Sequence, residues 1–145
     1  MLRELTAGRI TMAIEGLITH RSEFGPAETV TRLETAIRAN GMRVFARIDH
    51  AQAAAEEGVS LRPTVVVTFG NLRGYAELVS AMPAIAVYPA YRTLVRQNDA
   101  GETWISYDDP RWLARRYGAN AEAKSALTAV AIRIDSIIRK ATSSP

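Results

Sequence analysis

A histidine next to a carboxylate is the first arrangement in this sequence that could do chemistry. Asp49 and His50 follow the alternating run 42–48, which predicts a strand, so both residues lie at the end of that strand. The carboxylate could fix the imidazole tautomer, and His50 could act as a general base or a metal ligand. Arg47 shares a strand face with Asp49 and could bind an anion. The structural alternative is a capping box, in which Asp49 and Gln52 begin a helix.

The second arrangement is the run Tyr107-Asp108-Asp109-Pro110. Adjacent carboxylates can bind a hard cation or raise one another's pKa, which makes Tyr107 and Asp108 candidate ligand-binding residues. An acidic residue before a proline is equally typical of a helix start, where the helix dipole favours negative charge. Asp109 is therefore also explained as the first residue of a helix.

The third arrangement surrounds Asn71, which lies between two glycines after a predicted strand. Backbone N–H groups in such a segment could bind an anion, although the spacing is neither a dinucleotide-binding nor a P-loop pattern, and a plain turn is the alternative. Arg62 could supply a cation to the same ligand, or it could pair with Glu56 or Glu57.

Five aromatic residues come from neighbouring predicted elements and form a fourth candidate set. They could line a pocket for a flat ligand, or they could pack in the core and at its rim. They are Tyr75, Tyr88, Tyr91, Trp104 and Tyr107.

The elements that must position these residues follow from apolar periodicity and from turn residues. Strands are predicted over 9–20, 42–48, 63–69, 84–87, 91–97 and 102–107, and helices over 26–40, 49–57, 75–82, 110–117 and 121–141. The order β-α-β-α-β-α-β-β-β-α-α predicts an α+β fold, with a single layer of mostly antiparallel mixed sheet and helices packed on one face. The last helix carries the longest apolar stripe of the chain.

Composition narrows the class of protein. The chain has 145 residues, of which 48% are hydrophobic and 23% charged, as expected for one globular domain, here residues 1–141 with a flexible tail over 142–145. It has no cysteine and two histidines, which argues against a structural zinc site and predicts no metal. No apolar run spans a membrane and no signal peptide is recognised, so we expect a cytoplasmic protein. The net charge of +3 comes from scattered arginines, which argues against nucleic-acid binding.

Four segments together resemble one bacterial family, the domain-of-unknown-function 302 family, over roughly residues 24–118. They are Phe45-Ala46-Arg47-Ile48-Asp49-His50-Ala51, Leu61-Arg62-Pro63-Thr64, Phe69-Gly70-Asn71 and Trp104-Ile105-Ser106-Tyr107-Asp108-Asp109-Pro110. The resemblance implies a small, dimeric α+β domain without an agreed activity. Two stretches depart from the family pattern: Leu72-Arg73-Gly74 replaces a proline-containing run, and Val87-Tyr88-Pro89 lacks the usual aspartate. A polar site at those strand ends would therefore be altered here.

Three functions remain open. The first is a homodimeric accessory domain that binds a small molecule or an anion near His50 and Asn71. The second is an enzyme in which Asp49 orients His50 as general base, and Arg47 or Arg62 binds an anionic substrate. The third is a structural partner domain that docks through its C-terminal helix, whose stripe could equally pack on its own sheet. The sequence assigns no cofactor.

Overall fold

Strand-forming runs of β-branched and aromatic residues build one antiparallel sheet. The computed structural model describes residues 2–5, 9–12, 14–88 and 90–145, with side chains for 14–88 and 90–145. The strands are β1 (Leu2–Leu5), β2 (Arg9–Met12), β3 (Leu17–Ser22), β4 (Arg43–Asp49), β5 (Thr64–Gly70), β6 (Tyr91–Gln97) and β7 (Thr103–Asp108). The described residues form a seven-stranded sheet in the order β1-β2-β3-β7-β6-β5-β4, which leaves β4 at one edge.

Four of the five predicted helices begin within one residue of their predicted starts, whereas the third begins three residues before the predicted Tyr75. The helices are α1 (Pro26–Ala39), α2 (His50–Glu56), α3 (Leu72–Ala81), α4 (Pro110–Arg116) and α5 (Ala121–Thr142), with a 3-10 helix over Pro83–Val87. Asp49, Asn71, Asp109 and Asn120 each cap the helix that follows by accepting a hydrogen bond from a backbone N–H of its first turn. The predicted α+β class, with helices packed on the sheet, is confirmed.

Two predicted strands differ in the structure. The segment 9–20 contributes to two strands, β2 and β3, which pair antiparallel on either side of a turn at Gly16, and residue 13 lies outside the described residues. Gly16 adopts a φ of +79°, and a Cβ there would lie 2.3 Å from the Trp112 ring, so both conformation and space require glycine. The run 84–87 is part of the 3-10 helix, because Pro83 favours a helical first turn and Ile85 and Tyr88 donate i→i−3 hydrogen bonds.

Two apolar clusters lie beside the sheet, and α5 contributes to both. The first packs α1 and the C-terminal half of α5 on the sheet, through fully buried residues such as Leu33, Phe69 and Ile137. The second packs α3, the 3-10 helix and α4 around the N-terminal half of α5, with Leu113 and Leu127 at its centre. The apolar stripe of α5 is therefore covered by this chain's own elements.

The end of the chain is tied to the start of α1. The Glu23 amide donates to the Thr142 carbonyl at 2.8 Å, and the Ser144 amide donates to the Glu23 carboxylate at 2.8 Å. Arg32 adds a hydrogen bond to the Ser143 carbonyl at 3.1 Å. The last turn of α5 is thus held by long-range hydrogen bonds, and helix runs one residue into the segment predicted as a tail.

Candidate ligand pocket between α3 and α5

A cavity of about 230 Å³ lies between α3, α5 and the start of β6. Its long wall is the α5 face formed by Ala126, Leu127 and Val130, and α3 contributes Leu78 opposite. This volume lies just below the roughly 300–1,000 Å³ typical of sites for drug-sized ligands, so the cavity suits a smaller molecule. Its wall is mostly apolar, with polar side chains at the two ends.

Two tyrosines form the aromatic wall of this pocket. The rings of Tyr75 and Tyr91 meet edge to face, with centroids 6.3 Å apart and planes at 88°. The Tyr75 hydroxyl donates to the Ile85 carbonyl at 2.9 Å. Tyr91 is only 8% exposed, and none of the described residues hydrogen-bonds its hydroxyl. Burial, and then the neighbouring Tyr75, raises the pKa of Tyr91 to about 12, against an opposing effect of Arg133.

The polar residues give the pocket two different ends. Arg133 of α5 lies at the end where Asn71 and Gly74 begin α3, whereas Glu122 lies near the start of α5. Eleven residues of helix separate Glu122 from Arg133, which is roughly 16 Å along the axis. Arg133 donates a hydrogen bond to the Asn40 carbonyl at the end of α1. The cavity therefore has a cationic end and an acidic end with an apolar middle.

Asn71 is the predicted site residue that this pocket contains. Its side-chain oxygen accepts a hydrogen bond from the Gly74 amide at 3.1 Å, so Asn71 caps α3 and lines the cavity. Asn71 follows Gly70, which pairs with Arg43 at the start of β4, whereas His50 follows the far end of that strand. Arg43 and Asp49 are six positions apart, which is roughly 20 Å of strand, so His50 and Asn71 lie at opposite ends of the sheet. The expected pocket shared by these two residues is not present.

Asp49 has the structural role that its spacing allowed. Its carboxylate accepts a hydrogen bond from the Gln52 amide at 2.9 Å and caps α2. His50 is exposed in the first turn of α2, and no hydrogen bond or ion pair among the described residues joins it to Asp49. The structure therefore places the two side by side in the chain without the contact that would orient the imidazole.

Arg47 is bound to a buried carboxylate of its own domain. Its Nε donates to Glu34 Oε1 at 2.8 Å, and Arg38 lies 3.6 Å from the other oxygen of the same carboxylate. Glu34 is only 8% exposed on the sheet-facing side of α1, so the two arginines compensate a charge that would otherwise be costly to bury. Arg47 thus ties the edge strand β4 to α1.

Arg62 lies at the His50 end of the sheet and pairs across to the β6–β7 hairpin. Its Nε is 3.1 Å from the Asp99 carboxylate, instead of contacting Glu56 or Glu57. The Arg62 side chain is about half exposed and Asp99 is fully exposed, and such ion pairs contribute little to stability. Arg62 does not reach the Asn71 pocket, because Thr64 and Gly70 are the opposite ends of β5.

Tyr107 and Asp108 have different surroundings although they are adjacent in sequence. Tyr107 is buried in the first apolar cluster and stacks on His20, with ring centroids 6.2 Å apart. Asp108 accepts a hydrogen bond from the Tyr88 hydroxyl at 2.7 Å and lies 3.6 Å from Arg92. Burial, and then the hydrogen bond to Asp108, raises the pKa of Tyr88 well above its ordinary value.

The predicted pair of aspartates serves two separate contacts. Asp109 accepts hydrogen bonds from the amide and the side chain of Arg111, both at 2.9 Å, at the start of α4. Asp108 instead faces Tyr88. Among the residues whose side chains are described, no group of three or more His, Asp or Glu side chains converges as a metal site.

The five aromatic residues divide between the two alternatives offered by the sequence. Tyr75 and Tyr91 line the pocket, whereas Tyr88, Trp104 and Tyr107 are buried elsewhere. Sequence reasoning missed Arg133 as a pocket residue. The available signal was its position three residues after Val130 on the apolar stripe of α5, where a charge interrupts the stripe next to Ile134.

No helix among the described residues has both the length and the apolar character needed to cross a membrane.

Comparisons with known proteins identify the family. Two curated relatives from Brucella suis and Brucella abortus, both named fluoride-specific ion channel FluC 1, are 33% identical over 115 residues, which is 79% of this chain. The chain spans less than half the length of these relatives, 45% and 43%.

A crystal structure of an uncharacterised DUF302 protein from Bacillus stearothermophilus superposes with a TM-score of 0.80. It covers 88% of this chain and 99% of its own at 19% identity, and it shows a shared fold. The model of the family described as domain of unknown function DUF302 matches residues 18–141. The resemblance found in the sequence is therefore confirmed, and the chain belongs to the DUF302 family.

Proposed function

We propose that this domain binds a small, partly apolar organic molecule in the pocket between α3 and α5. One observation carries the proposal: two tyrosines and an apolar helix face line a partly open cavity whose ends are polar, which is the usual composition of a small-molecule site. Val130 and Tyr75 line the cavity and are half-buried. A ligand in this space would cover both side chains.

The Brucella relatives support an accessory role for such a binding domain. The segment similar to this chain makes up 43–45% of their length, so in those proteins it is one part of a longer polypeptide. A domain that recognises a ligand beside a second activity fits this arrangement. We assign no catalytic step to the pocket, because its residues do not form a nucleophile–base pair.

A blocked pocket tests the proposal. Ala126 is exposed on the pocket face of α5, so Ala126→Trp should fill the cavity without displacing a core residue. Ala129 is exposed on the same helix but does not line the pocket, which makes Ala129→Trp the matched control. With 1-octanol and sodium octanoate as probes, calorimetric titration should detect binding to the wild type and to Ala129→Trp only.

Two outcomes would contradict this function. One is the absence of binding by both probes to the wild type, and the other is unchanged binding to Ala126→Trp. Sodium fluoride is a useful third probe because the relatives are named for that ion. If fluoride raises the melting temperature and the eight-carbon probes do not, the proposed ligand is a simple anion and not an organic molecule.

We also propose that the domain acts as a homodimer through the edge strand β4. This strand ends the sheet, and it exposes two large apolar side chains, Phe45 (39%) and Ile48 (46%). An unprotected edge strand presents backbone N–H and C=O groups that can pair with another strand. A second copy is the partner that offers the same strand.

Charge complementarity defines the register of this pairing. If two β4 strands run antiparallel with Ile48 at the two-fold axis, Arg47 lies opposite Asp49 of the partner subunit on the same sheet face. The two Ile48 side chains then meet at the axis with an opposite-charge pair on each side. Such cross-strand pairs each contribute roughly 0.2–1 kcal/mol.

The lack of cysteine in the chain allows a direct test of this register. Ile48→Cys should oxidise to a covalent dimer, because directly opposed strand residues have the Cα spacing that a disulfide needs. Ile132→Cys, at a residue 66% exposed on α5, is the control and should remain uncrosslinked. Analytical ultracentrifugation of the wild type gives its oligomeric state. A monomer at every concentration measured would refute the interface, and so would equal crosslinking of the two cysteine variants.

A further inference from the structure

We propose that the ligand of the α3–α5 pocket is an organic acid, a carboxylate on an apolar body, with Arg133 as the anchor of its anionic end. The inference rests on the proposed binding function and adds the chemical class of the ligand. It starts from the opposite charges at the two ends of the cavity, Arg133 at one and Glu122 at the other, which would orient a molecule with one charged end.

Arg133 has the donors that an anion requires. Its guanidinium lines the pocket, and its hydrogen bond to the Asn40 carbonyl accounts for one of five N–H donors. No carboxylate of the described residues lies within ion-pair distance of Arg133, in contrast to Arg38, Arg47 and the other paired arginines. Arg133 is exposed, so its other donors are hydrated at the edge of the apolar cavity and are available to a carboxylate, whose geometry the guanidinium matches.

Tyr91 supplies a second donor beside this arginine. Its side chain is more than nine-tenths buried, and its hydroxyl has no hydrogen-bond partner among the residues whose side chains are described. The ring is buried but the hydroxyl is accessible from the cavity, so a bound ligand can accept a hydrogen bond from it in place of water. A carboxylate oxygen accepts from both the phenol and the guanidinium.

The first turn of α3 adds positive potential at the same end. Asn71 and Gly74 line the cavity, and α3 is ten residues long, so its N-terminal dipole favours a negative charge there. The two acidic side chains that line the pocket, Glu122 and Glu77, do not cancel this positive potential. Glu122 is roughly 16 Å away along α5, beyond the screening length of about 8 Å, and Glu77 lies 3.5 Å from Arg73.

The apolar middle of the pocket accommodates the rest of such a molecule. Leu127 and Val130 of α5 and Leu78 of α3 form continuous apolar wall between Arg133 and Glu122. The acidic end would repel a second carboxylate and would favour a neutral tail. We therefore infer a monocarboxylate with a short apolar chain or ring.

Three probes with the same eight-carbon chain separate head-group recognition from apolar binding. Octanoate should bind the wild type about tenfold more tightly than 1-octanol, as expected for a hydrogen bond to a charged group, and octylammonium should bind most weakly. Arg133→Gln should bring the octanoate affinity close to that of octanol and leave octanol binding unchanged. Tyr91→Phe should lower only the octanoate affinity.

Arg139→Gln is the matched control, since Arg139 lies on α5 outside the pocket and pairs with Asp135 at 2.9 Å. It should keep the wild-type preference. Equal affinity of the wild type for octanoate and octanol would overturn the carboxylate inference while the binding function stands. Loss of octanol binding in a folded Arg133→Gln variant would also overturn it, by showing that Arg133 shapes the apolar pocket. Failure of all three probes would instead reject the binding function itself.

Discussion

The Tyr91 hydroxyl provides the most direct physical test of the pocket, because its acidity depends on burial. Its pKa is raised from 10.0 to about 12 in the folded protein. A proton held more tightly by the folded than by the unfolded chain stabilises the fold fully below pH 10, and this contribution is lost as the pH rises towards 12. Two pKa units at 1.36 kcal/mol each correspond to about 3 kcal/mol.

Tyr91→Phe removes the titrating group and keeps the ring. At pH 8 no protein hydrogen bond among the described residues is lost, so we expect the free energy of unfolding to stay within about 1 kcal/mol of wild type. Between pH 10 and pH 12 the wild type should lose about 2 kcal/mol more than the variant, because part of the full contribution is lost outside this range. Urea unfolding monitored by circular dichroism at both ends of this range measures the difference.

Equal alkaline losses in the two proteins would refute this reasoning, because Tyr91 would then titrate alike in folded and unfolded chains. A large loss of stability in Tyr91→Phe at pH 8 would refute it in another way. The hydroxyl would then have a structural partner, and the case for a donor reserved for a ligand would fail with it. A phenolate absorbance titration of both proteins gives an independent reading of the same proton.

Three further substitutions test the scaffold around the site by urea unfolding at pH 7. Tyr88→Phe removes a 2.7 Å hydrogen bond to the partly exposed Asp108 carboxylate and should cost about 1–2 kcal/mol, and a neutral effect would contradict a charge-assisted bond. Ile137→Ala opens a cavity in the first cluster and should cost about 2–5 kcal/mol, whereas a smaller loss would mean that this cluster collapses around the gap. Asn120→Ala removes the acceptor for the Ala123 amide and should cost about 1 kcal/mol, without changing octanoate affinity.

Local sequence signals predicted the elements, and long-range pairing determined the site. The turn around Asn98, the β-branched run of β5 and the stripe of α5 act over a few residues, and each is found where it was expected. Strand order depends on which segments meet in space. His50 and Asn71 were grouped because both follow strands, but β4 and β5 are antiparallel neighbours, so their C-terminal ends point in opposite directions.

The same distinction explains the residues that sequence reasoning assigned to the wrong role or missed. Arg47 offered a cation for a ligand, but its partner is Glu34, thirteen residues earlier on α1. Asn71 and Arg133 are 62 positions apart, and only the packing of α3 against α5 brings both to one cavity. The capping of α2 by Asp49 was foreseen as an alternative, because a cap is a contact within one turn.

The continuity of α5 has a consequence for how a bound molecule would be felt elsewhere. One uninterrupted helix of 22 residues forms the pocket wall with its first half and packs on the sheet with its second half. The pocket wall therefore cannot unravel far without exposing apolar surface of the sheet, so local opening at the site is linked to opening of the whole fold. A ligand that holds Leu127 and Arg133 should slow amide hydrogen exchange as far as Ile138, about one and a half turns beyond the nearest residue that it touches. The helix would then report occupancy of the site at the opposite end of the domain, where residues 142–144 contact the start of α1.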